Sequence, residues 1–138
     1  MDEQILDYIK SQRIAVLAVE NPDGSPHAAT IHFAHTENPL QFIVMTGRAT
    51  KKCAAILQNG KSRASFVIGQ NEETMQTLQM DGTVEFTEDE TLLNAYFEKY
   101  PTRKDWYKPP SEVMIVFKPT WWRYSDLKAA GGKIIIES

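Results

Sequence analysis

A short basic segment in the middle of the chain has residue types suited to binding an anion. Residues 46–52 read TGRATKK and come directly before CAAILQ, a stretch with a helix-like pattern. The first N–H groups of a helix have no partners and carry a partial positive charge, so acidic residues are usual there and cations are disfavoured. The cluster of Arg48, Lys51 and Lys52 therefore indicates that an anion binds at this point.

Two threonines add hydrogen-bonding groups to the same segment. Thr46 and Thr50 lie within a few residues of the three cations. A phosphate ester suits this set, because it is nearly doubly charged at neutral pH and accepts several hydrogen bonds at once. The alternative is that Thr50 is a helix N-cap followed by solvated lysines, and the spacing alone leaves both interpretations open.

The composition limits the kinds of partner. The chain has 138 residues, of which 42% are hydrophobic and 24% charged, as in an ordinary globular domain. We expect a single domain over residues 1–138 with a core that needs no metal or disulfide. The net charge of −3 gives no general attraction to nucleic acid or to an anionic membrane. The basic segment is therefore a local feature, which favours a small anionic ligand.

Cysteine usage and hydropathy predict a cytoplasmic protein. Cys53 is the single cysteine, which excludes an internal disulfide and a cysteine-based metal cluster and is consistent with a reducing compartment. The opening MDEQILDYIK is acidic and lacks the apolar stretch of a signal peptide, and no run approaches the length of a membrane span. We expect Cys53 to pack as a small hydrophobe, although nearby cations could lower its thiol pKa.

Hydrophobic periodicity predicts a mainly β protein with a few helices. Helical patterns cover residues 2–12, 50–58 and 88–101, and the third ends before a proline. Within a long strand-like run, Gly82 indicates a bulge or a close approach of two backbone segments. The predicted strands are 13–20, 27–35, 40–46, 63–69, 74–87, 112–119 and 120–127, with residues 134–137 able to pair in the sheet or in a partner.

The connections between these strands favour an antiparallel barrel. Short turns separate the first three strands, and no βαβ unit repeats along the chain. About six strands with two short helices between them predict an antiparallel barrel-like sheet with added helices. A doubly wound nucleotide fold is not expected, because the sequence has no Gly-rich phosphate loop of the Walker type.

The order of elements and motifs resembles the pyridoxamine 5′-phosphate oxidase-related flavoproteins with the split-barrel FMN-binding fold. The similarity covers residues 10–126. It is carried by DGSPHAATIHF, by FIVMTGRATKKCAAI with its T-x-x-x-[ST]-x-K pattern, by MDGTVEF and by KPTWWRYSD. The resemblance implies a six-stranded antiparallel split β-barrel with short flanking helices, of the kind found in general stress protein-like flavoproteins.

The resemblance also implies where FMN would bind. In the family, the segment that matches residues 46–52 holds the FMN phosphate, and the strand that matches residues 28–34 carries the flavin ring. Small side chains in that strand would let a flat ring approach the backbone. The implied cofactor-binding residues are Ala28, Ala29, Thr30, Ile31, His32, Met45, Thr46, Arg48, Thr50, Lys51, Lys52, Thr77 and Gln79.

The sequence departs from the family in the ring-binding strand. Family enzymes often have an arginine and a lysine there as further phosphate ligands, and the aligned residues here are Ala29 and Ala34. Losing two cations weakens phosphate binding unless other groups replace them. Arg48 is the candidate replacement.

The resemblance further implies a homodimer with the cofactor at the subunit interface. Residues 77–79 and 121–125 could then contribute from the partner chain. Trp121 and Trp122 are consecutive strand residues that face opposite sides, so at least one of them is expected to pack in a core or an interface.

Three histidines within nine residues raise the question of a metal site. On a regular strand His27 and His35 share a face while His32 points to the other, so the three cannot converge without a bulge and no metal is expected. A single histidine could still ligate haem, which some split-barrel relatives handle.

The predicted function is that of a flavin-dependent oxidoreductase with a small-molecule redox substrate. The flavin would perform the chemistry while the protein orients the ring. The arginine and histidine that hold substrate near the C-terminus of true pyridoxamine phosphate oxidases have no clear counterpart after Trp122 except Arg123, so that specific activity is not expected. The alternatives are a protein that stores, senses or carries FMN, and a deazaflavin- or haem-binding relative. The connector residues Asp105, Trp106 and Tyr107 are candidates to cover the ligand, or simply a surface loop.

Overall fold

The computed structural model describes residues 1–69 and 71–138 as a curled antiparallel sheet with short helices packed on it. The helices are α1 (Glu3–Ser11), α2 (Ala54–Asn59) and α3 (Glu90–Lys99), with 3-10 turns at Lys51–Cys53 and Pro101–Asp105. The strands are β1 (Ile14–Glu20), β2 (Pro26–His32), β3 (Ala34–Glu37), β4 (Leu40–Gly47), β5 (Ser62–Ile68), β6 (Gln76–Thr87), β7 (Glu112–Asp126) and β8 (Ile134–Glu137). Within the described ranges, none of the helices has the length and apolar character needed to cross a bilayer.

The first hairpin forms where the sequence concentrates its turn residues. Gly24 has φ +87°, a left-handed conformation that glycine adopts at no steric cost. The Asp23 carboxylate accepts a hydrogen bond from the Ser25 N–H at 3.0 Å and closes the turn. The hairpin pairs β1 with β2 so that Ala18 lies opposite Ala28. Successive side chains of a strand point to opposite faces, and the residues of β1 that face the core are Ala15, Leu17 and Val19.

A bend at Phe33 closes the sheet into a split barrel. The strand order is β2-β1-β5-β6-β7-β4-β3, with β8 added to β7. β2 and β3 are consecutive in the chain but stand at opposite ends of this order, so the chain must turn sharply between them. Phe33 makes that turn with its side chain fully buried, and its N–H donates to the Arg13 carbonyl oxygen at 3.0 Å. The predicted strand 27–35 is therefore two strands.

β7 is one continuous strand, and the prediction of separate strands at 112–119 and 120–127 was wrong. It runs through Pro119, pairing with β6 along one edge and with β4 and then β8 along the other. The proline is tolerated because it lies at a bulge, where the register with β6 shifts between Asp81 and Gly82. The described sheet thus has eight strands instead of six, partly because of the Phe33 bend and partly because residues 134–137 pair in the sheet.

Two apolar layers hold the sheet in this shape. Inside the barrel, the rings of Phe33, Phe42, Phe66 and Phe117 lie with neighbouring centroids 4.8 to 6.3 Å apart. On the other side of β3 and β4, α3 buries Leu92, Tyr96 and Tyr100. Each large apolar side chain buried in this way contributes about 1.5–3 kcal/mol relative to exposure.

Gly82 lies where two backbone segments approach each other closely, and its replacement should destabilise the fold. A Cβ added at Gly82 would lie 2.1 Å from the Lys118 carbonyl oxygen. We expect Gly82→Ala to lower the free energy of unfolding by about 2 kcal/mol or more, because the clashing atoms belong to the backbone of β7. Urea unfolding followed by circular dichroism measures this. Gly131→Ala is the control, since a Cβ there meets no atom within 4 Å; equal effects of the two substitutions would contradict the assignment.

Candidate functional site

The basic segment folds into a tight turn, and the predicted helix 50–58 is shorter than expected. A 3-10 turn covers residues 51–53, and the six-residue helix α2 follows it. Thr50 occupies the N-cap position, but its hydroxyl donates to the Gly47 carbonyl oxygen at 2.9 Å and caps no helical N–H. Because so short a helix has only a weak dipole, an anion here would be held mainly by side chains.

The two threonine hydroxyls of the turn are hydrogen bonded to each other. The Oγ1 atoms of Thr46 and Thr50 lie 3.2 Å apart, and the Thr50 hydroxyl hydrogen serves Gly47. Thr46 is therefore the donor between the two, since each hydroxyl has one hydrogen. Thr46 is also only 9% exposed. A phosphate bound at this turn would have to redirect at least one of these hydrogens.

The three cations of the segment have different neighbours. The Arg48 guanidinium carbon lies 5.8 Å from the centroid of the Phe86 ring, and the side chain lines a cavity of about 380 Å³ together with Tyr107. Lys51 is exposed beside the first hairpin: hydrogen bonds from Ser25, with a smaller contribution from Lys51, lower the pKa of the Asp23 carboxyl. Lys52 is half-buried. Arg48 thus lies beside the connector, whereas Lys51 lies beside the hairpin.

The 3-10 turn 51–53 lies against β2, the strand predicted to carry the flavin ring. On β2 the side chains of Ala28 and Thr30 are exposed and that of His32 is half-buried, all on the outer face of the sheet. Ala29 and Ile31 alternate with them and face the inside. The structure therefore joins the basic turn to β2, and three of the five predicted ring-binding residues face outward.

The predicted residues on β6 do not lie beside the predicted ring-binding strand in the sheet. β1 and β5 separate β6 from β2, which places them about 14 Å apart across the sheet. Gln79 is exposed on the outer face, in the same row as Val67, Val16 and Thr30. The hydroxyl of Thr77 is used internally, donating to the Ile68 carbonyl oxygen at 3.0 Å.

Three further residues from the sequence analysis pack in the apolar layers, namely Met45, Trp122 and Cys53. Met45 packs against the apolar layer under α3, and Trp122 packs against the inner core while Trp121 faces the other side of β7. Cys53 is fully buried, and burial raises the pKa of its thiol despite the Thr50 hydroxyl and the nearby Lys52 and Arg48. Cys53 is a packed hydrophobe, as expected.

The histidines do not form a metal site. The bend at Phe33 puts His27 and His32 on β2 and His35 on β3. His35 Nε2 lies 3.1 Å from a carboxylate oxygen of Glu37, and burial lowers the pKa of the imidazole against the opposing effect of that carboxylate. No group of three histidine, cysteine or acidic side chains converges within residues 1–69 and 71–138.

A second basic cluster surrounds the ring of Tyr100, and the sequence analysis missed it. The guanidinium carbons of Arg13 and Arg103 lie 4.7 and 4.6 Å from the ring centroid, and the Lys99 ammonium nitrogen lies 5.8 Å from it. Burial, reinforced by Arg13, lowers the pKa of Lys99 to about 8. The four-residue spacing of Lys99 and Arg103 is the one sequence feature that could have indicated this cluster. Arg13 is far away in the sequence and comes close to them only in the folded chain.

The curled antiparallel sheet, closed at Phe33 and flanked by short helices, defines this chain as a split-barrel protein. The sequence profile of the pyridoxamine 5′-phosphate oxidase family matches residues 1–126. The chain belongs to that family.

Solved structures with the same fold are widespread. General Stress Protein 26 from Bacillus anthracis str. Sterne is 28% identical, with a TM-score of 0.68 over 88% of this chain and 91% of that one. A pyridoxamine 5′-phosphate oxidase-related, FMN binding protein from Nostoc punctiforme PCC 73102 is 15% identical, with a TM-score of 0.66 over 96% and 85%. A heme binding protein from Mycobacterium smegmatis is 12% identical, with a TM-score of 0.69 over 92% of this chain and 53% of that one.

The similarity to the Nostoc and Mycobacterium proteins concerns the fold alone. This chain spans about half the length of the heme binding protein. A comparison with curated proteins gives no match.

The lowered pKa of Lys99 makes stability depend on pH in a defined direction. Between its folded pKa of about 8 and its ordinary value of 10.5, the unfolded chain binds more protons than the folded one, so the free energy of unfolding rises with pH. Burial raises the pKa of Tyr8 to about 12, which acts in the opposite direction only above its ordinary value of 10.0. Burial likewise raises the pKa of the Cys53 thiol above its ordinary value of 9.0, which opposes the effect of Lys99 above that pH. We therefore expect stability to rise from pH 8 to 9, and Lys99→Met to remove much of the rise.

Urea unfolding at several pH values in this window measures the effect. The control is Lys104→Met, because Lys104 is an exposed lysine of the adjacent turn. Identical slopes for Lys99→Met and the unmodified chain would show that Lys99 titrates as an ordinary lysine.

Proposed function

We propose that this chain binds FMN, with the phosphate at the basic turn and the flavin ring along the outer face of β2. The observation that carries the proposal is the contact between the 3-10 turn 51–53 and β2. It joins cationic side chains to a strip of small ones, which is the arrangement that a phosphorylated flat cofactor requires. Membership of the pyridoxamine 5′-phosphate oxidase family and the fold shared with an FMN binding protein support it.

The outer face of β2 suits a flat ring for two reasons. Ala28 and Thr30 are small, and next to them on β1 the apolar Val16 is 40% exposed. β2 is also an end strand of the sheet path and pairs there with β1 alone, so main-chain N–H and C=O groups along its other edge are free of ladder hydrogen bonds. The polar edge of a flavin could bind such groups while its ring covers the small side chains.

The phosphate would depend on fewer cations than is usual in the family. Ala34 is 1% exposed beneath α3, so its methyl group occupies a place where a lysine charge would be buried. Arg48 lies at the Phe86 side of the turn, so Lys51 and Lys52 are the groups we assign to the phosphate. Thr46 and Thr50 would add hydrogen bonds after their hydroxyl hydrogens reorient.

Bound FMN would supply hydride or electron transfer, and we propose a flavin-dependent oxidoreductase acting on a small molecule. The protein's part would be to hold the phosphate, to orient the ring on β2 and to exclude water from one ring face. A protein that stores, senses or carries FMN would use the same residues. Absorption spectra of the purified protein separate the cofactor classes, because flavin and haem differ in colour and a deazaflavin lacks the flavin spectrum. Bleaching by a reduced nicotinamide and reoxidation by an acceptor would distinguish the enzyme from the carrier.

We also propose that the outer face of the sheet pairs with a second copy of the chain. Three large apolar side chains on this face are strongly exposed: Ile14 at 52%, Ile135 at 42% and Val16 at 40%. A groove of about 680 Å³ crosses the same face at the hairpin end, lined in part by Ala18 and Ser65. Such a surface is typical of an interaction site. A partner docked there would bring its own Gln79 row towards the flavin strand.

Removing the two lysines of the turn should weaken FMN binding. Each charge-assisted hydrogen bond to phosphate contributes about 1.5–3 kcal/mol, so we expect Lys51→Ala/Lys52→Ala to raise the FMN dissociation constant at least about tenfold. Quenching of flavin fluorescence on titration measures the constant. Lys133→Ala in the exposed tail is the matched control. An unchanged constant in the double variant would refute the phosphate assignment.

A charge on the outer face should prevent dimerisation. Val16→Asp would place a carboxylate in the centre of the proposed interface, where it would lose water on association. We expect the molar mass from light scattering to fall to that of one chain, and FMN affinity to fall with it. The control is Leu127→Asp, which alters an apolar side chain of similar exposure, 42%, in the segment after β7. A monomeric unmodified chain would rule out the interface outright.

A further inference from the structure

In the part of the chain that the structure describes, no ion pair joins the cations around Tyr100 to an acidic residue. Ion pairs within residues 1–69 and 71–138 join Glu20, Glu37, Glu85 and Glu137 to other basic residues. None of these pairs includes Arg13, Lys99 or Arg103. In a chain with net charge −3, Arg13 and Arg103 thus lie over the Tyr100 ring, and Lys99 lies 4.4 Å from the centroid of the neighbouring Phe33 ring. Among the described residues, no carboxylate lies within ion-pair distance of the three cations.

The cluster is held in place by groups other than charges. The Tyr100 hydroxyl donates to the Phe33 carbonyl oxygen at 2.7 Å, which fixes a ring that is only 3% exposed. Arg103 donates from a guanidinium nitrogen to the Tyr96 hydroxyl at 2.8 Å. Lys99 donates to the Gln12 carbonyl oxygen at 2.5 Å. These hydrogen bonds hold Arg103 and Lys99 in position, and Arg13 contacts the Tyr100 ring through its guanidinium group.

Cation–π attraction explains only part of this arrangement. Each contact with an aromatic ring contributes about 0.5–1 kcal/mol at an exposed site, but the ring has no net charge and cannot neutralise three cations. The same three charges also act on a neighbouring histidine. Burial, and then the charges of Arg103, Arg13 and Lys99, lower the pKa of His32, whose ring lies 5.9 Å from that of Tyr100.

The cluster and the basic turn lie at opposite ends of β2. His32 ends the strand beside Tyr100, whereas Lys51 lies near Asp23 in the hairpin before the strand begins. Seven strand residues span about 20 Å, so one phosphate group cannot contact both sets of cations. A ligand of the cluster would be a second anion.

We propose that Arg13, Lys99 and Arg103 form a binding site for a small oxyanion, separate from the proposed cofactor phosphate site. Guanidinium groups bind carboxylate and phosphate oxygens through paired N–H donors, and Lys99 adds a point charge. Arg13 is exposed, which leaves the cluster open to solvent. The oxyanion is either a free inorganic ion or the anionic group of an organic ligand.

The site also bears on the proposed function. His32 shares the outer face of β2 with Ala28 and Thr30, so the cluster lies at the end of the strip assigned to the flavin ring. If the proposed FMN site is correct, the cluster selects an anionic redox substrate. The oxyanion site itself requires no flavin, so it can be tested without one.

Anion binding should become weaker as pH rises. A bound oxyanion favours the charged form of Lys99, whose pKa of about 8 in the free protein then rises, and binding above that pH must take up a proton. The other titratable groups near Lys99 are Lys10 on α1, His35 and Glu37 on β3 and Glu98 on α3. The hydrogen bond from His35, and then the charge of Lys10, lower the pKa of the Glu37 carboxyl, so Glu37 stays ionised between pH 7 and 9 and does not alter the direction.

The test is calorimetric titration of the full chain with inorganic phosphate and with a small dicarboxylate, at constant ionic strength maintained with chloride. The chain carries Lys51→Ala/Lys52→Ala, so that the basic turn does not contribute. We expect saturable binding of at least one probe. Binding of the dicarboxylate, whose own charge is constant in this range, should be weaker at pH 9 than at pH 7. Arg13→Gln/Arg103→Gln should weaken it at least tenfold, and Lys133→Gln should leave it unchanged.

The outcomes separate the alternatives. Binding of phosphate alone indicates an inorganic ion, and preference for the dicarboxylate indicates an organic ligand. No preference over chloride, or equal binding in the arginine double variant, overturns the proposal whatever happens to FMN affinity. Circular dichroism checks the fold of each variant. If the double variant fails to fold, Lys99→Gln replaces it, and loss of the pH dependence is then the expected result.

Discussion

The turn of the backbone at Phe33 is the constraint on which the rest of the structure depends. Its N–H donates to Arg13, its carbonyl oxygen accepts from Tyr100, and its ring is buried among the other core phenylalanines. These contacts satisfy the backbone polar groups of a residue that leaves one strand and enters another. They also join the two ends of the sheet path, so the sheet cannot open without losing core packing and hydrogen bonds together.

The same turn organises both basic sites. β2, which leads into the Phe33 turn, is an end strand of the sheet path, and the 3-10 turn 51–53 lies against this strand. At the other end of β2 the contacts of Phe33 bring Arg13 next to Tyr100, and α3 supplies Lys99 and the segment after it supplies Arg103. A single strand therefore runs between two groups of cations, with small side chains between them on the outer face.

Membership of the family establishes the fold, and the ligand must be argued from the residues. Two positions that are basic in many family enzymes are Ala29 and Ala34 here, and Ala34 is buried under α3. Positive charge is concentrated around Tyr100, and the sequence alone did not indicate this cluster. This concentration of charge is the reason for proposing an oxyanion site beside Tyr100 in addition to the proposed FMN phosphate site.

The sequence by itself determined the features that depend on neighbouring residues: the amphipathic helices, the Asp23-Gly24 turn, most strand positions, the bulge at Gly82 and the basic segment 46–52. It also identified the fold, because the order of these elements matches the family. Only the tertiary structure decided that the strand 27–35 bends at Phe33 and that β7 continues through Pro119. It also placed the Arg48 side chain against the Phe86 ring and not beside Lys51. It alone brought Arg13 to Lys99 and Arg103. Periodicity and turn propensity are local, whereas strand pairing and side-chain convergence depend on packing between residues far apart in the chain.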